Sequence, residues 1–458
     1  MEILNSIFYF VIVIGILVFI HELGHFLAAR TCGIRTDIFS FGMGPRLFGY
    51  NQINGFTFGK LKDWEGNGYC DYRICMLPVG GYVKVNGMVD ESMDTTALSA
   101  EPQEYEFRSK NMLQKIFVLS AGVLMNFALA IGIFSFISLS EGKIIWKTTT
   151  IGYIDKNTIA DRIGLKSGDK IIEINGKKLT TWDELTEMLM ISELGDEKKI
   201  TVDRNGTEMN FKADGKSLLK TMTGQLTLGI VPENAFVYVK GVESGKPAAS
   251  IGLTTGDTII SVNDEKIAAF SRLTVLLNQF KNQKILLTWK RGNNLLKDSI
   301  HPDNNGKLGF YPDVVFAGKR EKLSFGLFGS VSEGFKQTYK FSNVFVKSVL
   351  QIFKGNISAK ESLGGPIMIA KSAGLSAKLG LEVFLNFMAM LSITLAIINI
   401  LPFPALDGGH IIITIIESII RREIPLKGKI VIQNIGMVLL LGLMAYAFYN
   451  DIMRLFGK

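Results

Sequence analysis

The stretch ILNSIFYFVIVIGILVFIHELGH, residues 3–25, decides the fold: eighteen residues in which only Asn5 and Ser6 are strongly polar run straight into two histidines and a glutamate. About 20 apolar residues suffice for a helix to cross a hydrocarbon core roughly 30 Å thick. The run has neither the basic leader nor the small-residue cleavage site of a secretory signal, so it is expected to persist as a spanning helix. Its polar end would then lie where lipid gives way to water.

Residues 116–139, 381–401 and 430–449 have the same character, in a chain of 458 residues that is 47% hydrophobic with a mean hydropathy of +0.26. The expected fold class is a polytopic α-helical membrane protein with four transmembrane helices in a lipid bilayer. Lys and Arg resist translocation and mark the cytoplasmic side. Residues 1–6 carry neither, whereas the segment after the first span is rich in both, from Arg30 and Arg35 to Arg108 and Lys110, and the loop before the fourth holds Arg421, Arg422, Lys427 and Lys429. Both loops are expected inside and both termini outside. The net charge of +8 thus reads as topology and headgroup contact, and nothing resembles a nucleic-acid-binding module. Cys32, Cys70 and Cys75 all fall in the expected cytoplasmic segment, which predicts reduced thiols and no disulfide framework.

Between the second and third spans a pattern recurs. GLKSGDKIIEINGKKL (164–179) and GLTTGDTIISVNDEKI (252–267) align Gly164, Gly168, Asp169 and Asn175 with Gly252, Gly256, Asp257 and Asn263 at a constant offset of 88. Self-similarity of this kind implies two copies of one domain. In each, a turn feeds a short β-branched strand, a second turn and a helix-like stretch. Beyond them, residues 325–355 alternate apolar residues with Lys, Ser and Gln, too polar to span, and predict an amphipathic helix on the membrane surface.

On a helix continuing from the first span, His21 and His25 share one face at i and i+4, with Glu22 beside them. Two imidazoles so placed can bind one Zn²⁺ while the carboxylate reaches a metal-bound water. A third ligand is required, and Ala28 and Thr31 stand where the extended soluble-protease motif has its Gly and third His. NILPFPALDGGHIII (399–413) offers one: Asp407 would be costly at bilayer depth without a partner, and Pro402 and Pro404 break the helix before it. His410, three residues on, is the rival ligand. Both halves of this centre fall on the same side of the membrane by the topology above.

HExxH ending the first span, N-x-x-P-x-P-x-x-D-G-G ending the third, and two PDZ-like copies between the second and third resemble the site-2 protease family over essentially the whole chain. The resemblance implies an intramembrane zinc metalloprotease with zinc on His21, His25 and Asp407, Glu22 as catalytic base and Asn399 near the substrate backbone. LPVGGYVKVNGM (77–88) resembles the family's re-entrant β-loop, which implies substrate pairing at Gly80, Gly81 and Tyr82. LGGPIMIAKSAG (363–374) matches a segment preceding the third span. Two positions depart from the pattern: Val123 in AGVLMN (121–126) stands where the family has proline, and Thr394 where some relatives have a second Asn.

The expected organisation is a first span with the motif (1–30), a cytoplasmic segment with the β-loop (31–112), a second span (113–139), α/β PDZ-like domains (140–225 and 226–318), the amphipathic helix and linker (319–380), a third span with the aspartate (381–410), and a cytoplasmic loop with the fourth span (411–458). The resemblance further implies a bacterial inner-membrane location with periplasmic PDZ domains, which would either take peptide ligands by strand addition or serve as a spacer or steric filter with none. It implies as substrates transmembrane helices of single-pass proteins, such as anti-sigma factors already cut outside and signal-peptide remnants.

Overall fold

Four helices in the computed structural model are long and apolar enough to cross a membrane: Ile3–Thr31, Met112–Ser140, Leu381–Ile400 and Leu426–Arg454. The structure describes residues 2–61, 68–88, 102–222, 226–358, 360 and 364–455. It divides into two compact units, one of Met1–Ser140, Phe325–Val346 and Leu363–Lys458, the other of Glu141–Ser324 and Lys347–Ser362.

In the first unit the spanning helices interlock through Val13, Leu17, Ala130, Phe134, Met388 and Ile393, all buried. The helix Leu327–Phe353 lays part of its apolar face on this bundle. Phe341 stacks on Phe134 with ring centroids 5.5 Å apart, and Gly334 comes so close to the second span that a Cβ there would lie 2.6 Å from the Ile131 carbonyl oxygen. The polarity pattern assigns this helix to the membrane surface; Phe341 and Gly334 face the bundle, while Phe328, Phe335, Tyr339 and Phe353 stay exposed, and amphipathicity specifies a buried face and not its partner. The helix Pro366–Lys378 packs along the first span. Asp451, from the fourth, accepts hydrogen bonds from the Gly365 and Met368 backbone N–H groups at 2.9 and 3.0 Å, satisfying donors that a helix start leaves open.

After the first span come three strands, β1 (Thr36–Asn51), β2 (Gly55–Phe58) and β3 (Asp71–Val85), in the order β2-β1-β3. β1 and β3 are long and bent, with Gly42, Gly44 and Gly80 at positive φ. The two halves of β1 lie on either side of residues 72–74: residues 38–41 pair with 71–74 and, on their other side, with 81–84, while 48–50 pair with 72–74. Residues 81–85 thus form an outer edge of the sheet.

The second unit holds the repeated copies. In the second copy the strands run Asn294–Ile300, Ile285–Arg291, Thr258–Val262, Ala235–Val242, Phe310–Phe316 across one sheet. The first copy has the same order, Thr207–Ala213, Lys198–Arg204, Lys170–Ile174, Ile151–Ile154, Ile230–Pro232, once the Thr150–Lys170 bridge is counted. One boundary moves: Ile230–Pro232, which the sequence reading gave to the second copy, pairs with Ile151–Ile154 of the first. This closing strand lies outside the repeated signature, so nothing local marks its owner.

The signature itself is a clamp. Arg204 donates to both Asp169 carboxylate oxygens at 2.7 and 2.8 Å and to the Gly164 carbonyl at 2.9 Å. Arg291 repeats this on Asp257 (2.7 Å twice) and Gly252 (2.6 Å). Asn175 and Asn263, each at φ +48°, accept from Lys199 N and Leu286 N at 2.8 Å. The Gly-x-x-x-Gly-Asp turn is therefore tied to the neighbouring strand, Lys198–Arg204 or Ile285–Arg291, by an arginine at that strand's end that sequence comparison overlooked. The two arginines are 87 residues apart, one short of the constant offset.

Candidate metal centre

The first helix runs unbroken from Glu2 to Thr31, so HELGH lies within regular helix and the two imidazoles meet edge to face one turn apart, ring centroids 4.8 Å apart. A second helix comes very close to that face. A Cβ on Gly24 would lie 2.3 Å from the Ala121 carbonyl oxygen, and one on Gly122 would lie 2.5 Å from His25 Nε2 and 2.8 Å from His21 Nδ1. Two facing glycines thus let the second span approach to the distance at which it contacts the imidazoles.

Asp407 comes from beyond the third span. That helix ends at Ile400, and Asp407 opens the next, Asp407–Ile420. Ala405 between them takes a φ of +79°, and added Cβ atoms on Gly408 and Gly409 would lie 2.2 and 2.3 Å from the Leu401 and Phe403 carbonyl oxygens. The Pro-x-Pro break and the glycine pair fold the chain back tightly enough to aim the carboxylate at the histidines.

His21 Nε2, His25 Nε2 and Asp407 Oδ2 lie 3.1, 3.2 and 3.5 Å from one another. A tetrahedral ion with bonds of ~2.0–2.1 Å holds its ligand atoms about 3.3 Å apart. The donor chemistry fits as well. His25 Nδ1 is 2.8 Å from the Val118 carbonyl oxygen, which only accepts; the proton belongs on Nδ1 and Nε2 presents a lone pair. Asp407 Oδ2 is buried without a hydrogen-bond partner. Among the described residues these three side chains form a group able to hold a metal ion, and His410 instead lines a separate cavity with Lys115, Thr414 and Glu417.

Around this triangle stand three further groups. Glu22 lies beside the outer sheet edge, where a Cβ on Gly81 would be 3.6 Å from its Cγ and 2.6 Å from the Ser40 carbonyl oxygen. Gly80 has a φ of +89°, and Tyr82 pairs with Ser40 and accepts a long hydrogen bond from Arg73. Asn399 Nδ2 is 3.3 Å from His21 Nε2. Asn126, fully buried, is 3.2 Å from His21 Nδ1 and has a carbonyl Oδ1 with no partner. Ser392 of the third span donates to its backbone carbonyl at 2.8 Å. Asn126 and Gly122 are the residues that sequence reasoning undervalued; their signal was AGVLMN, read mainly for its missing proline. Thr394 donates to the Met390 carbonyl within its own helix.

Comparison with known proteins agrees with this chemistry. The profile of peptidase family M50 matches residues 9–443. The chain is 30% identical to a Vibrio cholerae protein named as a zinc metalloprotease, over 99% of this chain and all of that one. It is 29% identical to protease RseP of Yersinia pestis over 99% of this chain and all of that one. To the regulator of sigma-E protease RseP of Escherichia coli it is 28% identical, over 97% of this chain and 98% of that one. With four apolar helices, a buried triangle of metal-ligand atoms and a family match across its length, the chain belongs to peptidase family M50, the site-2 proteases, and is a zinc metalloendopeptidase.

Proposed function

We propose that this enzyme holds Zn²⁺ on His21, His25 and Asp407 and hydrolyses peptide bonds within transmembrane segments of single-pass membrane proteins. The observation that carries the reading is the set of three largely buried side chains whose ligand atoms lie at tetrahedral spacing, two of them on an apolar helix. Zinc, when bound, supplies an electrophile for the scissile carbonyl and lowers the pKa of water toward about 7. Glu22 takes a proton from the attacking water and delivers it to the leaving nitrogen. Asn126, with its amide turned so that Oδ1 accepts from His21 Nδ1–H, leaves the Nε2 lone pair for the metal; this turn also gives the orphaned Oδ1 a partner. Asn399 is positioned to donate to a substrate carbonyl.

A helical substrate hides its carbonyls in i to i+4 hydrogen bonds and must open before it is cut. The outer edge at residues 81–85, next to Glu22, offers backbone partners to an opened segment, with Gly80, Gly81 and Tyr82 as the contact. The repeated domains, read as PDZ domains on the periplasmic face of a bacterial inner membrane, screen what enters, and their terminal strands Ile230–Pro232 and Phe310–Phe316 are the edges at which peptide ligands would add. The relatives named as regulators of sigma-E favour anti-sigma-type substrates after a first external cut, with signal-peptide remnants as a second class.

The test uses purified enzyme in detergent with a model transmembrane substrate. Wild type is expected to cleave, to stop with a zinc chelator and to recover with zinc, while Glu22→Gln retains metal and is inactive. Unchanged cleavage by Glu22→Gln would remove the assigned mechanism.

A further inference from the structure

The outer edge at residues 81–85 has a direction and an end. The Pro78 carbonyl oxygen lies 3.2 Å from where a Cβ on Gly15 would be, Gly81 lies beside Glu22, and Asn86 N donates to the Arg35 carbonyl at 3.0 Å. The strand therefore runs alongside the first span from within its apolar length, past the metal ligands, to the level just beyond the helix end at Thr31. There the pairing stops. β3 ends at Val85, the Asn86 carbonyl accepts from Phe107 N at 2.8 Å, and Gly87 turns at a φ of +75° against Glu106. A segment paired along this edge leaves it at Gly87 and Met88.

Those two residues line a cavity of about 140 Å³, close to the size that admits a benzene ring in a protein core. Pro404, Ala405 and His410, from the turn and helix start that carry Asp407, line it as well, and so do the starts of the second and fourth spans at Lys115 and Leu426. Its chemistry differs from the apolar path that leads to it. Lys115, Glu417, Glu423 and Lys429 bring charge of both signs. Lys429 pairs with Glu417 at 2.7 Å, Lys115 lies over the Phe107 ring at 5.8 Å, and Glu423 is exposed. A transmembrane segment turns polar where it leaves hydrocarbon, with Lys and Arg on the side expected to be cytoplasmic here. Carboxylates suit such cations, and the Lys115 ammonium suits an acidic side chain or a carbonyl. Strand pairing matches residue to residue, so the step from Gly81 beside Glu22 to Gly87 at the cavity is about six residues, roughly 20 Å of extended chain. Resting on the reading of residues 81–85 as the substrate's pairing edge, we infer that this cavity is a substrate subsite for the polar flank of the transmembrane segment. Its occupation sets the cut about six residues inside that flank. Choice of bond then depends on a distance as well as on the residues at the bond.

The experiment uses full-length Glu22→Gln enzyme in detergent with the model transmembrane substrate, so that substrate binds without being cut. Photoreactive p-benzoylphenylalanine replaces Leu426 or Glu423 of the cavity lining, Tyr82 of the edge, or Val431, an exposed residue of the same helix as Leu426 that does not line the cavity. After irradiation, mass spectrometry places each adduct on the substrate. Tyr82→p-benzoylphenylalanine is expected to label beside the bond that wild type cuts, the Leu426 and Glu423 variants to label the polar flank about six residues away, and the Val431 variant to label neither. In a second substrate two apolar residues are inserted between cut and flank, and wild type is expected to move its cut by two residues toward the flank. Labelling from Tyr82 without labelling from Leu426 or Glu423, equal labelling from Val431, or a cut that stays at its original bond would overturn the subsite. Cleavage by wild type with no labelling from Tyr82 would remove the edge reading and the subsite with it, whereas no cleavage by wild type would remove the proteolytic reading itself.

Discussion

Gly122 and Asn126, from one helix, both approach the Nδ1 side of the His21 ring. A methyl on Gly122 would occupy space within 2.5 Å of His25 Nε2, and in packed backbone neither helix can yield cheaply. Gly122→Ala is therefore expected to retain the fold and to lose zinc in competition with a chelator, measured as bound metal per protein. Asn126→Leu removes the proposed acceptor for His21 Nδ1–H and is expected to weaken zinc binding by about 10–100-fold, the usual cost of losing a partner of a ligating histidine. Zinc affinity equal to wild type in Asn126→Leu would mean that Val118 and packing alone orient the ligands. HExxH was legible because i and i+4 spacing is a local property. Asn126 was not, because its value depends on lying 3.2 Å from a residue 105 positions away.

Within each repeated domain, the clamp between arginine and the turn aspartate has a defined pH signature. Burial alone would raise the Asp169 and Asp257 carboxyls, but the paired hydrogen bonds from Arg204 and Arg291 and from backbone N–H groups outweigh it and hold both below the ordinary value of 3.8. A depressed folded pKa means that the unfolded chain binds protons first as the pH falls. The stability these pairs contribute is thus present above 3.8 and lost as the pH drops through the lower folded values. Following the buried Trp289 by fluorescence, Asp257→Asn is expected to be less stable at neutral pH and to show a shallower acid decline than wild type. An identical acid profile would assign the decline to other groups. Outside the membrane unit's helices, burial pushes the Cys70 thiol up to about 11, so alkylation at neutral pH is expected to favour Cys32, which is less buried.

For the whole enzyme, the screening role proposed for the repeated domains makes the size of a substrate's external end decisive. A substrate carrying a stable fold there is expected to be cut roughly tenfold or more slowly than its trimmed form, a barrier difference of about 1.4 kcal/mol; equal rates would remove the screening role. How the molecule divides was readable from patterns that need no partner. Four apolar runs follow from the length of helix a bilayer requires, and the repeat from turn residues whose chemistry is local. What covers each face was not readable: the helix Leu327–Phe353 has an apolar stripe in either environment, and only packing gives Phe341 to Phe134. Likewise Ile230–Pro232 changed owner because strand pairing is a long-range choice. The sequence by itself determined that His21, Glu22 and His25 share a helix with one apolar run and that Asp407 follows another, since residue type and helical period are properties of the chain. Only the tertiary structure decided that Asp407 rather than His410 closes the triangle, because a ligand set is a matter of separations of about 3 Å between side chains nearly 400 residues apart, and those are fixed by how tightly Gly24, Gly122 and the Gly408–Gly409 turn let backbones approach.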